Sequence, residues 1–200
     1  MCRYPNSRHF RKVVGVVFTE SSLPGAYFIA MEKQEDDRGY FARSWCEREF
    51  KRHNLDSTLV QCSISYNRKK GTLRGMHYQA PPCAESKLVR CTRGAMFDVI
   101  IDLRTSSPTF TRWISVELTP DNGTMIFIPK GFAHGFQTLT DNTDVFYQMS
   151  EFYAPDHQRG FRWDDPMIGI KWPHPVTTMS DKDRTLPEFN TREVHHAFKS

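Results

Sequence analysis

The sequence predicts an all-β protein, a jelly-roll barrel, on two observations. From residue 26 to residue 153, about nine short runs rich in β-branched and aromatic residues recur at regular spacing, with Gly, Pro, Asn and Asp turn signals between them. Over the same span no apolar pattern of helical period reaches a useful length. Two hundred residues suffice for one domain with a sizeable core, and fifteen Phe give it material to bury.

Residues 1–12 read as a loose basic extension with Arg3, Arg8, Arg11 and Lys12 exposed, and Val13 to Phe18 as a short strand. Leu23-Pro24-Gly25 turns the chain into a strand over 26–31, and Asp36-Asp37-Arg38-Gly39 is a turn before Tyr40-Phe41. Cys46 to Phe50 suits one helical turn, and Leu59 to Tyr66 is a β-type run. Gly71 to Gln79 follows as a strand whose alternation puts Leu73, Gly75, His77 and Gln79 on one face and Arg74, Met76 and Tyr78 on the other. Pro81-Pro82 forces a loop before a strand over 87–93. Met96 to Leu103 is apolar enough to be buried on both faces. Strands over 113–118, 124–128, 132–139 and 145–149 follow, separated by Asp121-Asn122-Gly123, Pro129-Lys130-Gly131 and Asp141-Asn142-Thr143. Beyond Pro155 the texture turns to loops that wrap the barrel, with a short helix at Asp181-Lys182-Asp183-Arg184. The organisation is thus an extension over 1–22, a jelly-roll domain with short peripheral helices over 23–187, and a tail over 188–200.

The formal net charge is +4, and the densest basic run, Arg68-Lys69-Lys70, reads as a solvated turn, so nucleic acid is not an expected partner. Five cysteines without a C-x-x-C pair argue against a disulfide framework or a zinc site and for reduced thiols in the cytoplasm. The opening residues lack a signal peptide's apolar core, and no stretch approaches the ~20 apolar residues of a membrane span.

Polar residues on inward positions of a small barrel carry the information about chemistry. His77 shares a face with Leu73 and Gly75, and His134 stands among glycines and aromatics in Pro129-Lys130-Gly131-Phe132-Ala133-His134-Gly135-Phe136. Taken alone, His77 is either a satisfied core histidine or a base lining a pocket. The Pro-x-Gly-x-x-His spacing resembles the second cupin motif, whose first motif usually adds His-x-His and a later Glu as metal ligands. Here Gln79 replaces the second histidine and Lys87 falls in the acidic region, a poor ligand set. A metal-free cupin is expected.

Leu73-Arg74-Gly75-Met76-His77-Tyr78-Gln79, Lys87-Leu88-Val89-Arg90, Asp102-Leu103-Arg104, Ser107-Pro108-Thr109-Phe110, the His134 segment, Tyr153-Ala154-Pro155 and Trp163-x-Asp165-Pro166 occur in one order from about Leu23 to Pro187. Together they resemble the dTDP-4-dehydrorhamnose 3,5-epimerase family. The resemblance implies a homodimeric jelly roll acting on a dTDP-4-keto-6-deoxyhexose without metal or redox cofactor. It implies His77 as the base, Asp183 as its carboxylate partner, Tyr147 as the acid and Lys87 at the oxyanion. Asp181 competes with Asp183, and the Lys-Asp register favours Asp183. For binding it implies Arg38 and Arg74 at the diphosphate, Gln61 as a polar contact, and Phe41 and Tyr153 stacking on the base. His134 is either a substrate-oxygen ligand or a support behind the site. Part of the pocket is expected from a partner chain.

The sequence departs from the family's usual wording at Cys62-Ser63-Ile64-Ser65-Tyr66-Asn67 and at Tyr147-Gln148-Met149-Ser150, and its first twenty or so residues are additional. These changes spare the base and leave the sugar open, including epimerisation at C3 only. Two other readings stand beside the enzyme: a metal-dependent cupin oxygenase using His77 and His134, and a non-catalytic cupin that binds a nucleotide sugar.

Overall fold

A computed structural model describes residues 15–198. The expected exposure of Arg3, Arg8, Arg11 and Lys12, and Cys2, lie outside the described residues. The strands are β1 (Val16–Glu20), β2 (Tyr27–Met31), β3 (Gln34–Asp36), β4 (Gly39–Phe41), β5 (Gln61–Asn67), β6 (Leu73–Gln79), β7 (Lys87–Arg93), β8 (Met96–Asp102), β9 (Trp113–Leu118), β10 (Thr124–Ile128), β11 (Phe132–Thr138), β12 (Thr143–Met149) and β13 (Gln158–Gly160). Three short helices complete the chain: α1 (Glu47–Arg52), α2 (Asp181–Arg184) and α3 (Thr191–Ala197). A six-stranded sheet in the order β1-β2-β10-β7-β12-β5 faces a five-stranded sheet in the order β13-β6-β11-β8-β9, and β3-β4 forms a separate hairpin. This is the expected jelly roll.

The core lies between the sheets. Val89, Cys91, Ile126, Ile128 and Val145 from one sheet meet Met96, Ile100, Leu118, Phe132 and Phe136 from the other. The outer faces are covered as well. Phe50 of α1 packs with Ile29, Leu88, Met125 and Phe127 over the six-stranded sheet. Phe161, Ile168, Ile170, Phe189 and Val194 pack over the five-stranded one. Buried on both sides, β8 has the apolar composition such a position requires. The described cysteines are free.

Three expectations change. The first strand runs over Val16–Glu20, beyond the expected end at Phe18, and pairs along its length with β2, so the sheet begins inside the stretch read as an extension; Val13 and Val14 lie outside the described residues. Residues read as a tail form α3, whose Val194 is buried in the outer cluster. Simple alternation also fails within β6. From the His77–His134 pair to the Arg74–Phe136 pair, β6 advances three residues while β11 advances two. A bulge of one residue reverses the alternation beyond it, so Arg74 lines the same cleft as His77 instead of pointing away. Gly75, at φ +124°, makes this possible. A Cβ there would come within 2.6 Å of the Gly135 Cα, so β6 and β11 touch through two glycines beside both histidines.

Candidate active site

The two sheets part at one end of the sandwich around a cleft of about 430 Å³, within the range of small-molecule sites. His77 on β6 and His134 on β11 stand opposite each other in the five-stranded sheet, and Tyr147 on β12 belongs to the facing sheet. The cleft therefore has an imidazole wall and a phenol wall.

His77 Nε2 lies 2.8 Å from Asp183 Oδ1. The carboxylate can only accept, so Nε2 carries a proton and donates it to Asp183, which leaves Nδ1 as the ring nitrogen not spent on that bond. Asp183 is positioned by local structure. Leu73 N–H donates to Thr178 O, which docks the approaching chain against β6. The side chain of Ser180 then caps α2 by accepting from Asp183 N–H. Burial raises the Asp183 pKa, but the His77 hydrogen bond and charge, with the Gly75 and Ser180 contacts, outweigh it and hold the group below its ordinary value. Asp181, the competing candidate, is exposed.

A second imidazole–carboxylate pair stands behind the first. His134 Nε2 donates to Asp98 Oδ2 at 2.7 Å, and Asp98 has no exposure. Among the described residues Asp98 Oδ1 has no hydrogen-bond partner. The ring of Tyr147 meets that of His134 edge-on, with centroids 6.1 Å apart. Burial first, and then the Asp98 charge, push the Tyr147 hydroxyl well above its ordinary pKa against an opposing pull from Arg74, so it stays protonated at neutral pH.

Lys87 lines the cleft and pairs with Glu85 at 3.0 Å. Arg74 Nε donates to Asn67 Oδ1 at 2.8 Å. Gln61 accepts from Tyr153 N–H at 2.6 Å, while the Tyr153 hydroxyl and Lys182 both donate to Gln158 Oε1, closing one side of the mouth. Gln79 spends its amide on backbone, donating to Cys83 O and Phe152 O and accepting from Ala154 N–H. Those bonds clamp two loops. Among the described residues, no three His, Cys, Asp or Glu side chains are grouped to hold a metal ion.

The structure thus gathers His77, Asp183, Tyr147, Lys87, Arg74, His134, Gln61 and Tyr153 at one cleft. It does not bring Arg38 and Phe41 there. They sit on the β3-β4 hairpin, with Arg38 paired to Asp36 and Phe41 70% exposed. Sequence reasoning missed Asp98, Glu85, Gln158 and Lys182. Asp98 had a signal, because it shares the inward face of β8 with Met96 and Ile100. Glu85, in a Pro-rich loop, had none.

Comparison with known proteins agrees with this geometry. A sequence model of the dTDP-4-dehydrorhamnose 3,5-epimerase family matches residues 20–191. A protein of that name from Sinorhizobium fredii is 44% identical over 171 residues, 85% of this chain and 88% of the relative. The Bacillus anthracis dTDP-4-dehydrorhamnose 3,5-epimerase, solved with TDP and PPi bound, superposes with a TM-score of 0.85 at 39% identity, covering 88% of this chain and all of that one. ChmJ, a 3'-monoepimerase of Streptomyces bikiniensis solved with dTDP-quinovose, gives a TM-score of 0.79 at 31% identity, covering 86% and 88%.

Proposed function

The chain belongs to the dTDP-4-dehydrorhamnose 3,5-epimerase family, and on that premise we propose that it is an isomerase inverting C3 and C5, or C3 only, of a dTDP-4-keto-6-deoxyhexose. The observation that carries this reading is the arrangement of the cleft: the His77–Asp183 pair on one wall, Tyr147 on the other and Lys87 lining the space between them.

A 4-keto group acidifies the protons at C3 and C5. His77 Nδ1 takes one proton, and the imidazolium that forms is stabilised by the Asp183 carboxylate. The electron pair moves to the ketone oxygen, and the Lys87 ammonium faces the resulting enolate. Tyr147 returns a proton to the same carbon from the opposite face, which inverts it. The proton on His77 and the one lost by Tyr147 then exchange with solvent, restoring both groups. Burial that keeps the phenol protonated suits Tyr147 to the donor's role. Arg74 and Lys182 supply cations for the diphosphate, and Tyr153 an aromatic face for the base.

Deuterium incorporation tests the reading. With dTDP-4-keto-6-deoxyglucose in heavy water, the protein should exchange the C3 proton, as seen by NMR, and exchange at C5 as well distinguishes the 3,5- from the 3-epimerase. His77→Ala should slow this by ~10²–10⁴-fold, the usual worth of a general base. No exchange above that variant would overturn the assignment.

The β3-β4 hairpin has its place across a homodimer, where Arg38 and Phe41 of one copy complete the cleft of the other. The exposed Tyr40 and Phe41, together with Ile64 and Tyr66 on the edge strand β5, support such a contact. Neither Arg38→Ala nor His77→Ala chains alone should turn over substrate well. Co-refolded mixtures should recover up to about a quarter of wild-type activity, because each mixed dimer of a symmetric pair holds one intact site. A mixture no better than its parents would exclude sharing.

A further inference from the structure

We infer that Glu85 is a positioning residue that acts through Lys87; the inference rests on the reading of Lys87 as the group facing the enolate. Glu85 Oε1 lies 3.0 Å from the Lys87 ammonium, and the two side chains retain only 11% and 16% of their exposure. Both line the cleft, and no other acidic residue among the described ones pairs with Lys87.

Without a partner, a lysine has four rotatable bonds and a compact charge that solvent pulls outward. An oxyanion site needs the opposite, a donor held where negative charge develops before the reaction begins. Glu85 supplies that restraint because it is itself fixed on both sides. Two residues before it, Cys83 O accepts from the Gln79 amide at 2.8 Å. One residue after it, Ser86 N–H donates to Ser150 Oγ at 2.8 Å, and Ser86 O accepts from Ser150 N–H at 3.0 Å. The short loop over 80–86 is therefore anchored to β6 and to the end of β12, with Glu85 between the anchors and its carboxylate on the lysine. This also gives Gln79 a purpose: from the same face as His77 it holds the loop that holds Glu85.

Enolate formation brings a second negative charge towards the same ammonium. The lysine has three N–H donors, so one stays on Glu85 while another meets the enolate oxygen. The pair is arranged for geometry.

The test is a double-mutant cycle on steady-state turnover and on C3 proton exchange. Glu85→Gln preserves shape and removes the charge; it should lower kcat roughly tenfold with KM changed less than about twofold, as for a misplaced catalytic group. In a Lys87→Met background the same substitution should have no further effect, because the residue through which it acts is gone. Glu85→Asp, which keeps the charge, should recover part of the loss. A penalty that persists undiminished beside Lys87→Met, or a kinetically silent Glu85→Gln, would overturn the positioning role. A silent Lys87→Met would instead overturn the underlying assignment of the lysine, so the two failures are distinguishable. Thermal melting of each variant separates lost turnover from lost fold.

Discussion

Asp98 and Asp102 stand four residues apart on the inward face of one strand, and neither has any exposure. Their surroundings are opposite. Asp102 accepts from the Arg104 backbone and guanidinium, from Ser107 Oγ and from Thr109 Oγ1, and Arg104 reaches on to Pro24 O. Asp98 accepts from His134 alone, and its other oxygen is buried without a partner among the described residues. A buried carboxylate is costly unless its lone pairs are met. At Asp102 they are met, and the result is a knot that fixes the 102–112 loop to the sheet. At Asp98 they are met only in part, and its charge adds to burial in keeping the Tyr147 hydroxyl protonated.

The comparison is broken most directly at Asp98. Replacing it with Asn keeps shape but removes the charge that orients His134 and bears on Tyr147. Turnover should fall by about 10²-fold, the low end for a group supporting acid–base catalysis, while the melting temperature stays close to wild type. The Tyr147 hydroxyl should become the stronger acid, because the Asp98 charge adds to burial in holding its pKa up. An Asp98→Asn protein that loses its fold but keeps full activity per folded molecule would reverse the assignment of the two carboxylates.

Much of this was legible in the sequence. The strands over Lys87–Arg93, Trp113–Leu118 and Thr124–Ile128 have their expected bounds because alternation and turn residues agree there. His77, Asp183, Tyr147 and Lys87 come together from separate strands and a helix, which no spacing reveals and only the family's motif order suggested. Arg74 was misread because a bulge leaves no trace in hydrophobic pattern; only the Gly75-Met76-His77 run hinted at irregular backbone. Glu85 and Lys182 were missed because both lie outside β-strand periodicity, where a charge reads as solvated surface. The hairpin carrying Arg38 and Phe41 pairs only within itself and stands apart from the cleft of its own chain, a placement that the turn at Asp36-Asp37-Arg38-Gly39 does not reveal.

The smallest expected effect sharpens the comparison from the other side. Burial raises the Asp102 pKa, but Arg104, Ser107 and Thr109 outweigh it and hold the group below its ordinary value. A carboxylate whose folded pKa is depressed binds fewer protons folded than unfolded at moderately acid pH. Its contribution to stability is therefore complete above the unfolded carboxylate value of about 4 and is lost as pH falls through the folded one. Asp102→Asn should destabilise the fold by about 3 kcal/mol at neutral pH, since it leaves the Arg104 guanidinium without its anion. In acid the gap between variant and wild type should narrow, because protonation of wild-type Asp102 removes the same charge. Asp183 is also held low, and its substitution should narrow the gap in the same direction, but with turnover lost at neutral pH because its partner is the base. Denaturant melts from neutral to acid pH distinguish the cases: a constant Asp102→Asn penalty across that range would mean that its hydroxyl partners, rather than its charge, hold the loop.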